Sequence, residues 1–332
     1  MIIITGSTGL IGSSTSEYFL NKGIKVIGID NDLRAYFFGK TGSNKWKEKK
    51  LKENKLYSHF NIDIRNKYKI LNIFKKYSKK IKAIIHTAAQ PSHDWAAKEP
   101  FTDFHVNATG TLNLLEGART SNENQACLFY QISTDEVFGS LGEKGVFDES
   151  TAYAPHSPYS ASKASSDHFV RAYGETYGLP YIISNCSNNY GPGQHDEKLI
   201  PTVISSVLKN ELIPVYGTGA NVRDWLYVKD HVRAIDTILH QGKIGETYCI
   251  GGGAELSNLE LVHLLVDEID RQLGNAPNTS KALISFVEDR KGHDFRYAID
   301  HSKLTDDLSW KPTTSLEKGL ETTVSWYLNR AK

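Results

Sequence analysis

The sequence Ile2-Ile3-Ile4-Thr5-Gly6-Ser7-Thr8-Gly9-Leu10-Ile11-Gly12 decides the fold, because it places three glycines between a short apolar run and a segment of helical period. Glycines at the spacing G-x-x-G-x-x-G allow a pyrophosphate to approach backbone N–H groups at a helix N-terminus. Three glycines can also form an ordinary turn, but here a strand and a helix lie where the motif requires them. The stretch therefore predicts dinucleotide binding, with contacts from Gly6, Gly9, Leu10, Ile11 and Gly12.

Strand-like runs continue along the first half of the chain, at positions 2–5, 25–30, 83–86, 127–133 and 181–185. Segments of helical period lie between most of them, which is typical of a parallel sheet with helices on both faces. We predict an α/β protein in which residues 1–185 form a Rossmann doubly wound domain that also carries the catalytic residues. Residues 186–332, punctuated by glycine and proline, should form mainly a smaller C-terminal α/β substrate lobe, with some segments returning to the Rossmann domain.

The cofactor is expected to be NAD, because Asp30 ends the second predicted strand. A carboxylate there can accept hydrogen bonds from both ribose hydroxyls and repel a 2′-phosphate. Arg34 lies close enough in sequence to complicate that choice. Small and polar residues after other strands are further candidate cofactor contacts, although they could equally be ordinary loop packing: Asn31, Asp63, Ile64, Thr87, Ala88 and Ala89. The lysine-rich segment 40–55 is interpreted as a solvated insertion that overhangs the cofactor.

The candidate catalytic residues lie at two places in the sequence. Thr134, Asp135 and Glu136 follow a buried strand, at the sheet edge where open α/β folds bind ligands. Tyr159 and Lys163 are four residues apart, which places them on one face of a helix that should also contact the cofactor. The Lys163 ammonium should lower the pKa of the Tyr159 phenol, so that tyrosinate can accept a proton as hydride leaves the substrate.

The bulk composition favours a small-molecule substrate. Lys and Arg number 39 against 38 for Asp and Glu, so no overall charge favours a nucleic-acid or membrane partner. The three cysteines are widely spaced and odd in number, which fits neither a disulfide framework nor a zinc site, and no metal is expected. The first residues lack the basic region and the length of a signal peptide or membrane span, so we expect a cytoplasmic protein.

Six motifs beyond the glycine turn resemble the extended short-chain dehydrogenase/reductases, and specifically the dTDP-glucose 4,6-dehydratases. They are Ser133-Thr134-Asp135-Glu136-Val137-Phe138-Gly139, Ser157-Pro158-Tyr159-Ser160-Ala161-Ser162-Lys163-Ala164-Ser165-Ser166-Asp167-His168, Asn185-Cys186-Ser187-Asn188-Asn189-Tyr190-Gly191-Pro192, Glu197-Lys198-Leu199-Ile200-Pro201, Arg223-Asp224-Trp225-Leu226 and Asp289-Arg290-Lys291-Gly292-His293-Asp294. The amino-terminal half is more similar to the CDP-paratose (CDP-tyvelose) 2-epimerases, through residues 31–39 and Ala88-Ala89-Gln90-Pro91-Ser92-His93-Asp94-Trp95. The dehydratases carry Ser-His-Val-Asp where this chain has Pro91-Ser92-His93-Asp94.

The resemblance implies an NAD-dependent 4,6-dehydratase that converts a nucleotide-diphosphate hexose into a 4-keto-6-deoxy sugar. Tyr159, helped by Thr134 and Lys163, would take the O4 proton, Glu136 the C5 proton, and protonated Asp135 would release the C6 hydroxyl as water. The resemblance also implies a homodimer and a set of substrate contacts: Asn188, Lys198, Leu199, Pro214, Tyr216, Arg223, Asn258, Arg290 and His293.

Two other functions are compatible with parts of the sequence. A nucleotide-sugar epimerase would need the same hydride transfer but not an adjacent acid and base, so Asp135 and Glu136 favour the dehydratase. A non-catalytic dinucleotide sensor would need the glycine turn but not Tyr159, Lys163 and the two carboxylates together.

Overall fold

The computed structural model describes residues 1–121, 127–290 and 292–331 of the chain. Its centre is a seven-stranded parallel sheet of buried, largely β-branched strands, as expected when helices cover both faces. The strands, in spatial order, are β10 (Thr247–Ile250), β6 (Tyr181–Cys186), β5 (Leu128–Thr134), β4 (Ala83–His86), β1 (Ile2–Thr5), β2 (Val26–Ile29) and β3 (Tyr57–Phe60). The order reverses at β1 and β4, which places a ligand crevice at their carboxyl ends. The predicted fold class is confirmed.

Thirteen α-helices belong to the described residues. They are α1 (Leu10–Asn21), α2 (Arg34–Phe38), α3 (Lys45–Lys52), α4 (Lys67–Tyr77), α5 (His93–Lys98), α6 (Pro100–Phe104), α7 (Gly110–Ser121), α8 (Pro158–Tyr177), α9 (Leu199–Lys209), α10 (Val228–Gln241), α11 (Asn258–Leu273), α12 (Ser302–Leu308) and α13 (Leu316–Ala331). Apolar residues of α1, α10 and α12 pack on one face of the sheet, and those of α4, α7 and α8 on the other. None of the helices within the described ranges is both long and apolar enough to cross a membrane.

A second apolar core belongs to the smaller lobe. It is formed by α9, α11 and α13 with two small sheets, one containing β7 (Asn188–Tyr190), β9 (Val222–Tyr227) and β11 (Glu255–Ser257), the other β8 (Ile213–Tyr216) and β12 (Ile284–Val287). The chain then re-enters the central sheet, because β10 pairs with β6 in parallel after β7, β8 and β9 have formed elsewhere. The second half thus supplies an edge strand and the covering helices α10 and α12 to the Rossmann domain.

The lysine-rich segment differs from its sequence-based interpretation. Part of it forms α3, and Lys47 and Leu51 of that helix are buried at 6% and 2% exposure. Leu51 belongs to the apolar core on the α1 side of the sheet. The interpretation of this segment as wholly solvated was therefore wrong, because a single helical turn brings Lys47 and Leu51 to the same inward side while the other lysines face solvent.

Candidate active site

The glycine turn between β1 and α1 is built around very close backbone contacts. Gly6 has φ +63°, and a side chain there would lie 2.7 Å from the Cα of Ala88. A Cβ at Gly12 would lie 2.0 Å from the Gly6 carbonyl oxygen. Gly9 is the N-cap of α1 and contributes no side chain to satisfy the first N–H groups of the helix. These N–H groups are therefore available to a phosphate anion.

A large cavity lies along this turn and along the carboxyl ends of the central strands. Its walls contain every predicted cofactor and catalytic residue except Gly12: Gly6, Gly9, Leu10, Ile11, Asp30, Asn31, Asp63, Ile64, Thr87, Ala88, Ala89, Thr134, Asp135, Glu136, Tyr159 and Lys163. Gly12 instead allows α1 to approach the turn. The structure therefore brings together residues that are up to 157 positions apart, between Gly6 and Lys163.

Asp30 occupies the predicted position after β2. Its carboxylate accepts hydrogen bonds from the backbone N and the Oγ1 of Thr8, over 2.9 and 2.7 Å, and from the backbone N of Asp32 over 2.8 Å. These donors fix the carboxylate on the cavity wall. Arg34 does not compete with it, because its guanidinium donates to Glu197 over 2.6 Å.

Tyr159 and Lys163 lie one turn apart near the start of α8, which begins with a Ser157 capping box and Pro158 in the first turn. The Lys163 ammonium donates to the carbonyl oxygen of Ile132 over 2.9 Å. Burial, together with the nearby Glu136 carboxylate, raises the pKa of the Tyr159 phenol well above its ordinary value. The expected lowering of this pKa is not seen, because desolvation and nearby negative charge dominate it.

Asp135 lies in a single helical turn that follows β5, and it is buried, at 2% exposure, in the wall of the cavity. Burial and the adjacent Glu136 carboxylate raise the pKa of Asp135 well above its usual range, which favours the protonated acid. Its Oδ1 accepts a hydrogen bond from Thr134 Oγ1 over 3.1 Å. The predicted protonation of Asp135 by burial and a neighbouring carboxylate is thus supported by its surroundings, and Thr134 is placed beside this acid.

Glu136 has a different environment from Asp135. Burial alone would raise its pKa, but His93, Lys198 and Arg223 outweigh that effect and lower the pKa below its ordinary value. The nearest of these groups is His93, whose Nε2 lies 2.7 Å from Glu136 Oε2. The two adjacent carboxyl groups therefore favour opposite protonation states, the protonated acid at Asp135 and the ionised base at Glu136.

The predicted substrate residues differ in whether they line the main cavity, a smaller outer cavity or neither. Asn188 and Lys198 line the main cavity, and Lys198 also N-caps α9, the helix that begins at Leu199. Lys198 and Arg290 line a smaller outer cavity together with His93 and Asp94. The remaining residues line neither cavity: Leu199, Pro214, Tyr216, Arg223, Asn258 and His293.

Two residues of this last group, Tyr216 and Arg223, nevertheless interact with residues that line the cavities. The Arg290 guanidinium lies 4.3 Å from the centre of the Tyr216 ring. Arg223 is buried, donates to the carbonyl oxygen of Asp294 over 3.0 Å, and acts electrostatically on Glu136. Pro214 lies in β8 and Asn258 begins α11, both away from the cavities. Lys291, part of the predicted 289–294 motif, lies outside the described residues.

Sequence reasoning missed two residues of the site. His93 contacts Glu136 and packs edge to face on the Tyr159 ring, with 5.1 Å between ring centres. Its sequence signal is the Pro91-Ser92-His93-Asp94 segment, which gives no role to the histidine by itself. Lys47 lines the main cavity although it lies in a charged segment, and only its burial in the fold distinguishes it from its neighbours.

Comparison with known proteins agrees with this geometry. The profile of the family described as GDP-mannose 4,6 dehydratase matches residues 3–323. The dTDP-glucose 4,6-dehydratase of Xanthomonas campestris pv. campestris (strain B100) is 42% identical over 335 residues, covering 98% of this chain and 92% of that protein.

Two solved structures share the fold over nearly the whole chain. The dTDP-glucose 4,6-dehydratase DesIV from Streptomyces venezuelae, solved with NAD bound, is 36% identical with a TM-score of 0.88, covering 99% of this chain and 97% of that one. The UDP-glucuronic acid 4-epimerase from Bacillus cereus, in complex with UDP-glucuronic acid and NAD, is 26% identical with a TM-score of 0.85 and 99% coverage of both chains. From the matched profile and the full-length identity, the chain belongs to the GDP-mannose 4,6 dehydratase family, within the extended short-chain dehydrogenase/reductases.

Proposed function

We propose that this chain is an NAD-dependent nucleotide-sugar 4,6-dehydratase, a hydro-lyase that makes a 4-keto-6-deoxyhexose nucleotide. The observation that carries the proposal is the pair of adjacent carboxyl groups with opposite pKa shifts, Asp135 raised and Glu136 lowered, in the cavity that contains Tyr159. Elimination of water needs one proton removed and one donated at neighbouring carbons, and this pair supplies both.

The residues around the cavity fit a dinucleotide. The crowded glycine turn admits phosphates to the open N-terminus of α1, and Asp30 is held where a ribose would lie. Arg34 is paired with Glu197 and is therefore not free to bind a 2′-phosphate, which supports NAD rather than NADP. When bound, NAD supplies a hydride acceptor for C4, a hydride donor for C6 and a positive ring charge.

Tyr159 is the acceptor of the O4 proton in this proposal, a step that requires the tyrosinate, and the positive charge of Lys163 one turn away on α8 favours that form. The ketone formed at C4 makes the C5 hydrogen acidic, and the ionised Glu136 removes it. Asp135, kept protonated by burial and by Glu136, donates its proton to the C6 hydroxyl, which departs as water. Lys198 and Asn188, on the same cavity wall, are proposed contacts to the diphosphate and sugar.

The remaining substrate contacts are proposals by resemblance. Arg290, His293 and Arg223 would hold the nucleotide diphosphate, while Pro214 and Tyr216 of β8 would lie along the base, with Leu199 and Asn258 near them. By the same resemblance to the dehydratases, dTDP-glucose is the leading substrate. Residues 186–332 would thus be mainly the nucleotide-sugar lobe, with the boundary at 185.

The test is mass spectrometry of the products formed from dTDP-glucose, CDP-glucose, UDP-glucose and GDP-mannose. Loss of one water from any of them supports a dehydratase. The alternative function is a nucleotide-sugar epimerase, favoured by the B. cereus structural similarity, and it would leave the mass unchanged while altering the stereochemistry. A protein that binds NAD but changes none of the four would support a sensor instead.

A cytoplasmic homodimer completes the proposal. Phe101 and Phe104 of α6 and Phe169 of α8, which packs against α6, are exposed at 79%, 44% and 37%, and these exposed aromatic side chains support an interface on the two helices. Sedimentation equilibrium of the wild type and of Phe101→Asp tests the assembly: a dimer that Phe101→Asp dissociates supports it, and a wild-type monomer contradicts it.

A further inference from the structure

His93 separates the two cavities of the site. Glu136 lines the main cavity, whereas His93 lines the outer cavity with Asp94 and Arg290. The imidazole remains 33% exposed, while the Glu136 side chain is only 13% exposed. The imidazole therefore lies on one route from the Glu136 carboxylate to solvent, the route through the outer cavity.

The contact between the two groups is suited to proton transfer. Nε2 of His93 lies 2.7 Å from Oε2 of Glu136, which leaves Oε1 for the sugar. Oε2 of Glu136 accepts no hydrogen bond of good geometry from the described residues, so transfer requires a rotation of the ring that turns the Nε2 lone pair toward this oxygen. The edge-to-face contact with the Tyr159 ring keeps the imidazole beside Glu136.

We propose that His93 carries the proton taken from C5 between Glu136 and solvent, an inference that rests on the proposed dehydratase function. Glu136 forms an O–H bond as the C5–H bond breaks. It passes this proton to the unprotonated Nε2 of His93, in the tautomer that carries its hydrogen on Nδ1, and the resulting imidazolium releases its Nδ1 proton to water in the outer cavity. The reverse sequence returns a solvent proton to C5, so no charge or proton is gained over the cycle.

Other charged groups surround His93, from every element packed near it. They are Glu136 after β5, Tyr159 on α8, Asp94 and Lys98 on α5, Asp103 on α6, Glu197 and Lys198 before α9, and Arg290 after β12. Lys198 is an alternative carrier, but its ammonium donates to the carbonyl oxygen of Pro91 over 2.9 Å. Arg290 remains protonated at any working pH and cannot exchange a proton in this way.

The experiment is turnover of unlabelled dTDP-glucose in deuterium oxide, with the deuterium at C5 of the product measured by NMR. We expect deuterium in nearly all wild-type product. His93→Gln, which fills similar space but cannot relay a proton, should still release water yet retain mostly protium at C5. His93→Ala should behave likewise, and added imidazole should restore deuterium incorporation. His105→Gln, an exposed change of the same kind near α6, is the matched control and should match the wild type.

The outcomes separate the relay from the overall function. If His93→Gln releases water and its product contains as much deuterium at C5 as the wild-type product, the relay is overturned and the dehydratase function stands. Protium at C5 of the wild-type product would have the same meaning. Absence of water loss from every nucleotide sugar would instead remove the proposed function on which the relay depends. Product incubated without enzyme gives the background exchange, and His93→Asn replaces His93→Gln should that variant not fold.

Discussion

The guanidinium of Arg34 and the carboxylate of Glu197 form an ion pair at 2.6 Å, which joins the first residue of α2 to the segment leading into α9. Both side chains are largely buried, at 19% and 12% exposure. The pair connects the edge of the Rossmann domain with the second lobe across the main cavity. It also occupies the guanidinium of Arg34, a cation that lines the same cavity as Asp30.

Cofactor selectivity should therefore depend on Asp30 first. Asp30→Ser removes the negative charge that repels a 2′-phosphate, and we expect the NADP-to-NAD affinity ratio to rise about tenfold. Adding Glu197→Gln frees Arg34 and should raise the ratio further, whereas Glu197→Gln alone should change it little. Titration of each variant with both dinucleotides measures the ratio; wild-type preference for NADP would contradict the assignment of Asp30.

Proton abstraction from O4 should depend on the phenol of Tyr159. Tyr159→Phe keeps the packed ring but removes the proton acceptor, so oxidation at C4 should fall by about a hundredfold or more. Folding and NAD binding should persist. Tyr177→Phe, an exposed change on the same helix, is the control. Single-turnover absorbance of reduced nicotinamide follows the oxidation, and a near-normal rate in Tyr159→Phe would show that another group is the base.

The two carboxyl groups should affect different parts of the reaction. Glu136→Gln should abolish exchange of the C5 hydrogen with solvent, while Asp135→Asn should mainly slow loss of water, by about a hundredfold. C4 oxidation should be less affected in both. NMR of the sugar in deuterium oxide and mass spectrometry of the product separate the two steps. Wild-type conversion by both variants would contradict the acid and base assignments.

Lys47 should make the stability of the ligand-free protein depend on pH. Burial, with a smaller repulsion from Arg34, lowers the pKa of this ammonium to about 7. Between this value and the ordinary lysine pKa of about 10.4, the unfolded chain binds more protons, so the free energy of unfolding rises with pH across that window. Lys47→Met should flatten the rise measured by urea unfolding at pH 7 to 9.5. Lys49→Met, exposed on the same helix, should leave it intact.

The glycine turn should be intolerant of a single methyl group. Gly12→Ala places a Cβ 2.0 Å from the Gly6 carbonyl oxygen, and the forced backbone shift should cost about 1–3 kcal/mol of stability and weaken NAD binding. Gly142→Ala, where no heavy atom lies within 4 Å of the new Cβ, is the matched control. Thermal unfolding compares them, and equal Tm values would show that the turn relaxes freely.

Local patterns in the sequence were sufficient to predict the central sheet, the glycine turn and the candidate catalytic residues that follow β5. The runs at 2–5 and 83–86 coincide with β1 and β4, because buried parallel strands are continuous apolar segments. The contact of His93 with Glu136 could not be predicted in this way. It joins two segments more than forty positions apart, and only the parallel pairing of β4 with β5 brings their ends together.

The electrostatic surroundings of the site residues were harder to predict than their positions in the fold. The spacing of Tyr159 and Lys163 predicted their shared helical face, but the pKa of Tyr159 depends on how completely the fold removes water from the phenol. The same holds for Lys47, which differs from its exposed neighbours only in the direction it faces. Desolvation is a property of the assembled tertiary structure, so no local pattern reports it.

The return of the chain to β10 interleaves the second lobe with the Rossmann domain, because segments both before and after β10 belong to that lobe. A truncated protein ending at residue 185 would leave β6 as a bare sheet edge and would uncover the apolar sides of α1 and β5 that α10 protects. Unpaired edges and exposed apolar faces promote aggregation. The two halves should therefore be expressed only as one polypeptide, and a cofactor-binding half cannot be isolated by cutting between them.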